Sequence, residues 1–303
     1  VGQTARRPLA LAGALLSILI WAVNYPAMKV AFRELSPLAF TGWRFMLATA
    51  FLLAEARLRR EPILPPRGVR SLAAVLALSG VGAYQWFYAQ GLASTTGFSA
   101  AILNSISPLV AMFLVALLGW ERPGARAVLG SLVAWTGVGL FVNAARGAGL
   151  GNAAGNLLCL LAATCWGLYN VASSRVGSWM SPLTAQASTF AGGTAVILCY
   201  ALPDMARQDY RAVHAGTWVI VVLSALLPLA LAFRLWPEAV RTLGVAQATS
   251  LGFLTPVLAG VASALWLGER FDAGKLLAAC VVLAGLALTR TGRPTPAPAA
   301  GRA

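Results

Sequence analysis

Acidic side chains are scarce in this chain. Nine Asp and Glu stand among 303 residues, and charged residues of both signs make up only 11%. A soluble domain carries about 25% charged residues, so a soluble globular class does not fit. There is one histidine, His214, which removes a His-based metal site and a histidine catalytic base. The cysteines Cys159, Cys165, Cys199 and Cys280 all fall in apolar stretches without metal-type spacing. They read as small packing residues rather than as disulfides or ligands. No G-x-x-x-x-G-K-[ST] run occurs, so ATP hydrolysis by this chain is not expected. An intramembrane enzyme needs a nucleophile with a base, or paired acids, at membrane depth. The apolar stretches supply neither.

What the chain has instead is hydrophobic length. Hydrophobic residues make up 59%, and the mean hydropathy is +0.75. Polar interruptions separate ten apolar runs, at about 9–31, 37–56, 71–91, 97–119, 126–143, 154–175, 182–202, 216–237, 244–267 and 273–290. Most approach the roughly 20 residues that cross hydrocarbon. Helices are expected, because backbone polar groups in lipid must be satisfied within the segment. The expected class is an all-α integral membrane protein of ten spans. The first run is too long for a cleaved signal peptide, and its counterpart recurs later in the chain. The Pro- and Ala-rich stretch 291–303 reads as a disordered tail.

The chain is also duplicated. Adding 145 carries Leu15, Leu16, Trp21, Ala27, Ser36, Pro37, Leu38, Phe45 and Thr49 onto Leu160, Leu161, Trp166, Ala172, Ser181, Pro182, Leu183, Phe190 and Thr194. Adding 148 carries Leu103, Pro108, Ala111, Glu121, Arg122, Leu129, Val133 and Gly137 onto Leu251, Pro256, Ala259, Glu269, Arg270, Leu277, Val281 and Gly285. The offset changes near Pro203–His214, which reads as a loop. The expected units are 1–145 and 146–290. Five spans is an odd number, so the second unit enters the membrane from the opposite side. Inverted repeats of this kind mark carriers. Their substrate site lies between the halves, and exchange of the two repeat conformations gives alternating access.

The net charge of +14 speaks to orientation rather than to nucleic acid. Arg57, Arg59, Arg60, Arg67 and Arg70 cluster between the second and third spans. The even-numbered connections and both tails hold most of the basic residues. The positive-inside rule then places both termini in the cytoplasm.

Polar and aromatic residues inside spans are the candidates for a cavity lining, since polar groups in lipid are costly unless they face protein or water. The substrate-binding candidates are Trp21, Asn24, Tyr84, Tyr88, Asn104, Trp166, Tyr169, Asn170, Gln247 and Phe253. Tyr84, Tyr88 and Gly91 share one helix face, and Gly91 is expected to leave room beside it. An aromatic lining with scattered amides suits an amphiphile with an apolar ring and a polar end. Interfacial belts and helix packing are the alternative use of such residues, as for Trp43, Trp120 and Trp266. Arg44 is the one basic residue well inside a span. It either binds a substrate carboxylate or a carbonyl, or it ties a helix or snorkels outward. Pro108 and Pro256 are repeat mates and candidate hinges. The Glu121-Arg122 and Glu269-Arg270 turns are expected to cap or tie helix ends. Gly130, Gly137 and Gly139 in the fifth span, with Gly285 in the tenth, permit close packing within the molecule or in a homodimer.

The motifs W-x-x-N-Y with Lys29, S-P-L-x-x-x-x-x-R-F ending at Phe45, the run from Tyr88 to Leu109, and G-W-E-R at Gly119–Arg122 with its echo L-G-E-R resemble the drug/metabolite transporter superfamily. The likeness is to its ten-span EamA-type branch and covers about residues 9 to 290. Within that branch the chain is similar to bacterial aromatic amino-acid and metabolite exporters. The resemblance implies a multi-pass inner-membrane carrier of small molecules, with no cofactor and no nucleic-acid partner. Alternatives are a drug, nucleobase or sugar-derivative carrier, or a receptor or scaffold without flux. No acid lies near mid-span. Facilitated efflux or exchange is therefore the simplest drive, with proton exchange through Glu238 the runner-up.

Overall fold

The computed structural model describes residues 3–147, 153–176, 179–243, 251–270, 272–290 and 295–296. Each expected span is helical over most of its described residues. Among the described residues seven helices are long and apolar enough to cross a membrane, and three shorter apolar helices at Ala125–Phe141, Leu254–Leu267 and Ala273–Thr289 complete the ten. Large apolar side chains face outward all around the bundle, including Leu19, Phe51, Phe113, Leu132, Trp135, Val219 and Leu277. In water such a surface would be a liability; in lipid it is the expected exterior. Thr295–Pro296 pairs antiparallel with Glu121–Arg122 as a two-residue bridge.

The second and seventh spans, Pro37–Leu58 and Pro182–Arg207, begin alike. A serine caps each, and a proline follows at the first helical position, where its missing N–H costs nothing. Ser36 Oγ accepts from Ala39 N and donates to Asp204 at the far end of the seventh span. Ser181 Oγ accepts from Thr184 N and donates to Glu61 just beyond the second span. The two helices are thus clasped reciprocally at both ends.

The halves pack around a pseudo-twofold axis. The second span lies against the seventh, and the first and third spans lie against the eighth and sixth. The fifth span, Ala125–Gly147, lies along the tenth, Ala273–Arg290. A Cβ on Gly137 would stand 2.6 Å from Val282 N, and one on Gly285 would stand 2.3 Å from Ala134 N. Ala134 and Val282 are themselves repeat mates, so the contact is self-complementary. Lipid tails are as apolar as leucine, so helices in a membrane are held by such close approach rather than by a hydrophobic drive. Gly137 and Gly285 are spent inside the molecule, while Gly139 faces open space. Gly91 is also a packing glycine. Its Cβ position lies 2.8 Å from Cys159 Sγ, so it seats the sixth span and does not widen a cavity.

Several spans are interrupted. The third span passes from Arg70–Leu76 through a π-helical segment, Ala77–Ala83, into Tyr84–Ser94. The eighth span passes from Ala215–Ala225 through Leu226–Leu231 into Ala232–Leu243 in the same way. The two π segments occupy repeat-equivalent positions. Pro228 in the second cannot donate a backbone bond. Carbonyls in these segments take side-chain donors instead: Tyr200 OH on Gly82 O, Gln186 Nε2 on Leu229 O, and Trp21 Nε1 on Pro228 O. The fourth span breaks between Gly97–Asn104 and Ser107–Leu117. Pro108 therefore opens a new helix segment rather than kinking a continuous one. Pro256 likewise lies in the first turn of Leu254–Leu267.

Candidate functional site

One cavity of about 1340 Å³ lies between the halves. Trp21, Asn24, Arg44, Tyr84, Tyr88, Asn104, Pro108, Trp166, Tyr169, Asn170, Phe253 and Pro256 all line it. Gln247 lies outside the described residues. The lining also includes Tyr25, Gln85, Thr189, Phe190, Phe233 and Trp236, which stand outside the ten substrate-binding candidates. The signal that could have found three of them, Tyr25, Thr189 and Trp236, is the repeat, because their mates Asn170, Arg44 and Tyr88 are candidates. Tyr25, Gln85 and Trp236 are the mates of Asn170, Phe233 and Tyr88, while Thr189 and Phe190 are the mates of Arg44 and Phe45.

The π segments explain which faces meet the cavity. A π turn holds an extra residue, so it rotates the rest of the helix relative to a straight one. Gly80, Val81, Tyr84, Gln85 and Tyr88 from one half, and Pro228, Leu229, Phe233 and Trp236 from the other, all reach the cavity. The close approach of the sixth span depends on Gly80, because a Cβ there would fall 2.0 Å from the Tyr169 ring.

The aromatic rings form one connected wall. Tyr25 meets Tyr88 edge-on at 5.6 Å, and Tyr88 stacks on Tyr84 at 5.4 Å. Tyr84 packs against Trp166 at 5.1 Å, and Trp166 stacks on Tyr169 at 4.7 Å. Phe233 then joins Trp166, at 5.8 Å, to Trp21, at 6.1 Å, and Trp236 lies 5.3 Å from Trp21. Each such pair contributes about 0.5–1.5 kcal/mol beyond its area, so the wall is stiff as well as apolar.

Arg44 does not snorkel. It is 2% exposed, and its guanidinium lies 5.3 Å from the Phe45 ring and 5.9 Å from the Phe40 ring. Its Nη1 donates to Met28 Sδ at 2.9 Å and its Nη2 to Gln85 Oε1 at 3.4 Å, while Nε has no acceptor. Both side-chain polar atoms of Asn104 are likewise buried without a partner.

Among the described residues the cavity lining reaches the surface at one end. It reaches Glu55, Arg59, Glu61, Met180 and Glu238, at the end where the second span finishes and the seventh begins. Glu55 there pairs with Arg59 at 2.8 Å and with Arg234. At the other end Tyr25 and Tyr88 form the floor, with buried Met28 and Leu92 beyond them. Above this plug Lys29 Nζ lies 3.8 Å from Glu269 Oε1 and also donates to Thr95 O. Glu269 accepts from the backbone N–H groups of Gly97 at 2.9 Å and Phe98 at 3.5 Å. It therefore caps the fourth span, as expected of that turn. Beside it, Glu34 accepts from His214 N at 2.9 Å and Thr217 Oγ1 at 2.7 Å. These two contacts, the Thr217 hydroxyl first, hold the Glu34 carboxyl below its ordinary pKa. Among the described residues no cluster of His, Cys, Asp and Glu is placed to hold a metal ion.

The model of the EamA-like transporter family matches this chain twice, over residues 8–143 and 153–291. A protein of Pseudomonas aeruginosa is 32% identical over 277 residues, covering 90% of this chain and 91% of that one. A Streptantibioticus cattleyicolor protein named as a probable terminal-alkyne amino-acid exporter is 29% identical over 280 residues, covering 90% of each chain. The inner membrane transporter YedA of Escherichia coli is 24% identical, covering 95% of this chain and 93% of its own. A crystal structure of a protein 21% identical superposes with a TM-score of 0.64, covering 93% of this chain and 96% of that chain. That last likeness speaks for the fold.

Proposed function

Because this chain belongs to the EamA-like transporter family, a family of membrane transporters, we propose that it exports aromatic or hydrophobic amino acids and related metabolites by alternating access. The observation that carries the reading is the connected aromatic wall from Tyr25 to Trp236, with Asn24, Asn104 and Asn170 set into it. Aromatic faces take a flat apolar body, and the amides orient a polar end. The name of the S. cattleyicolor relative supports an amino-acid cargo. The residues proposed as cargo contacts are nominated by the sequence; of these Trp21, Tyr84 and Trp166 line the cavity.

The expected orientation puts the open end of the cavity in the cytoplasm, so the conformation is the loading state of an exporter. Pro108 and Pro256 stand where the fourth and ninth spans begin new segments, and they serve as pivots. Replacing both with Ala lets the helices run on and is expected to slow exchange about tenfold or more.

The test is uptake of radiolabelled tryptophan and phenylalanine into proteoliposomes, with and without a pH gradient. Saturable flux without a gradient supports a facilitator. Flux that needs the gradient and is lost in Glu238→Gln supports proton exchange, which the position of Glu238 at the cavity mouth favours as the second reading. No saturable flux of either amino acid, from folded protein, removes the aromatic amino-acid assignment.

A further inference from the structure

The deep cavity holds a positive charge without a negative partner. Among the described residues the carboxylate ion pairs join Lys29, Arg59, His214 and Arg234 to Glu269, Glu55 and Glu34, and none reaches Arg44. The Arg44 guanidinium rests instead on Met28 Sδ at 2.9 Å and, through Nη2, on Gln85 Oε1 at 3.4 Å, and its Nε has no acceptor. Asn24 Nδ2 donates to the same sulfur at 3.1 Å. A thioether is a weak acceptor, so two strong donors converge on a group that serves both poorly. Turning the Asn24 amide over would set its oxygen against the sulfur, which favours the donor assignment. A buried guanidinium in this state is costly unless something completes it. Methionine is unbranched and adaptable, so Met28 can yield to a better acceptor.

The acids that line the cavity lie far from this point. Glu55 is three turns further along the same helix as Arg44, about 16 Å away, and is already paired with Arg59 and Arg234. Glu61 is held by Ser181 and Thr184, and Glu238 lies one turn beyond Arg234. An α-ammonium on a bound carboxylate would stand a few ångströms from the guanidinium with no acid to offset the repulsion.

We propose that this carrier reads a carboxylate: Arg44 and Asn24 take the anionic group of the cargo in place of Met28, and an α-amino group is tolerated rather than recognised. The cargo class is then aromatic or apolar carboxylates, with amino acids as one subset. This rests on the aromatic-carrier reading for the apolar body and adds the charge.

The experiment is uptake by the full chain in proteoliposomes, corrected for protein-free vesicles, of three labelled compounds of similar size. They are phenylalanine, 3-phenylpropionate (no amine) and phenethylamine (no carboxylate). The expected result is saturable entry of 3-phenylpropionate at least as fast as phenylalanine, with phenethylamine about tenfold slower or worse. Arg44→Gln is expected to lower carboxylate flux by a similar factor, with Arg44→Lys retaining part of it. Phenethylamine entering as fast as 3-phenylpropionate overturns the proposal and leaves the aromatic carrier standing. This comparison uses the native chain, so it holds even where Arg44→Gln fails to fold. Unchanged flux in a folded Arg44→Gln protein overturns it too. Entry of 3-phenylpropionate without phenylalanine supports it and removes the amino-acid assignment. No aromatic entry at all overturns both.

Discussion

Thr49 and Thr194 share one hydrogen bond, Oγ1 to Oγ1 at 2.7 Å, in the buried interface between the second and seventh spans. They are repeat mates, so the pseudo-twofold axis passes between their hydroxyls. Phe45 and Phe190, also mates, pack ring to ring one turn away at 5.4 Å. Spans two and seven therefore form the seam about which the halves are related.

The hydroxyl pair gives the first prediction. Interhelical polar contacts in membrane proteins contribute about 0.6 kcal/mol on average, and at most about 1.7 kcal/mol. Thr49→Val and Thr194→Val should each destabilise the protein by about 1 kcal/mol in detergent. The double variant should lose less than the sum, because each single change leaves one buried hydroxyl without its mate. Thermal unfolding of the four proteins checks this, and strict additivity would show that the pair is not coupled.

At the fifth and tenth spans the contact is backbone to backbone. Gly285→Val places carbon atoms where Ala134 N and Gly130 O already stand. Overpacking of this kind costs about 1–3 kcal/mol or more, so the expected outcome is a large fall in folded yield. Gly139→Val, which faces open space, should leave yield unchanged. Size-exclusion profiles of the two variants decide it.

The closure at the sealed end is not symmetric. Glu269 ties Lys29 to the start of the fourth span, but the mate of Lys29 is Ser174, which carries no charge. Charge-assisted bonds contribute about 1.5–3 kcal/mol. Glu269→Gln should therefore move the population toward the opposite conformation by about tenfold or more. Accessibility of a cysteine introduced at the sealed end, read by labelling rate, measures the shift. An unchanged rate would mean that the apolar plug alone holds that end.

Glu34 supplies a pH dependence. Its lowered pKa means that its contribution is fully present above the ordinary carboxylate value. That contribution is lost as the pH falls through the lowered value. Acidification into that range should loosen the turn at Glu34 from the start of the eighth span at His214 and Thr217, and Glu34→Gln should mimic it at neutral pH. Hydrogen exchange at the amide of His214, which donates to Glu34, reports the loosening. Equal protection at both pH values would show that the carboxylate is not the tie.

Several site residues were legible because their chemistry is unusual for their setting. Tyr84, Trp166 and Asn170 are polar-tipped or amide side chains inside apolar runs, and Trp21 and Trp166 are mates at a fixed offset. The offset says that they are equivalent, not that they meet. The structure joins them through Phe233, a residue unremarkable in an apolar helix. Gly91 shows the same limit. A small residue on a helix face marks either room or close approach, and only the neighbour, here Cys159, decides which. Arg44 could point outward or inward along the same stretch of helix, and its direction follows from Met28, Gln85 and the ring faces around it.

The sequence by itself determined the number of spans, their helical form and the inversion of the halves. Lipid thickness and backbone satisfaction act on each segment alone, and an odd span count forces the inversion. Tertiary structure decided where the helices break or widen into π turns, which end of the cavity is sealed, and which side chains share it. Those depend on helix rotation and on partners about 145 residues away in the chain, and no single apolar run carries that information.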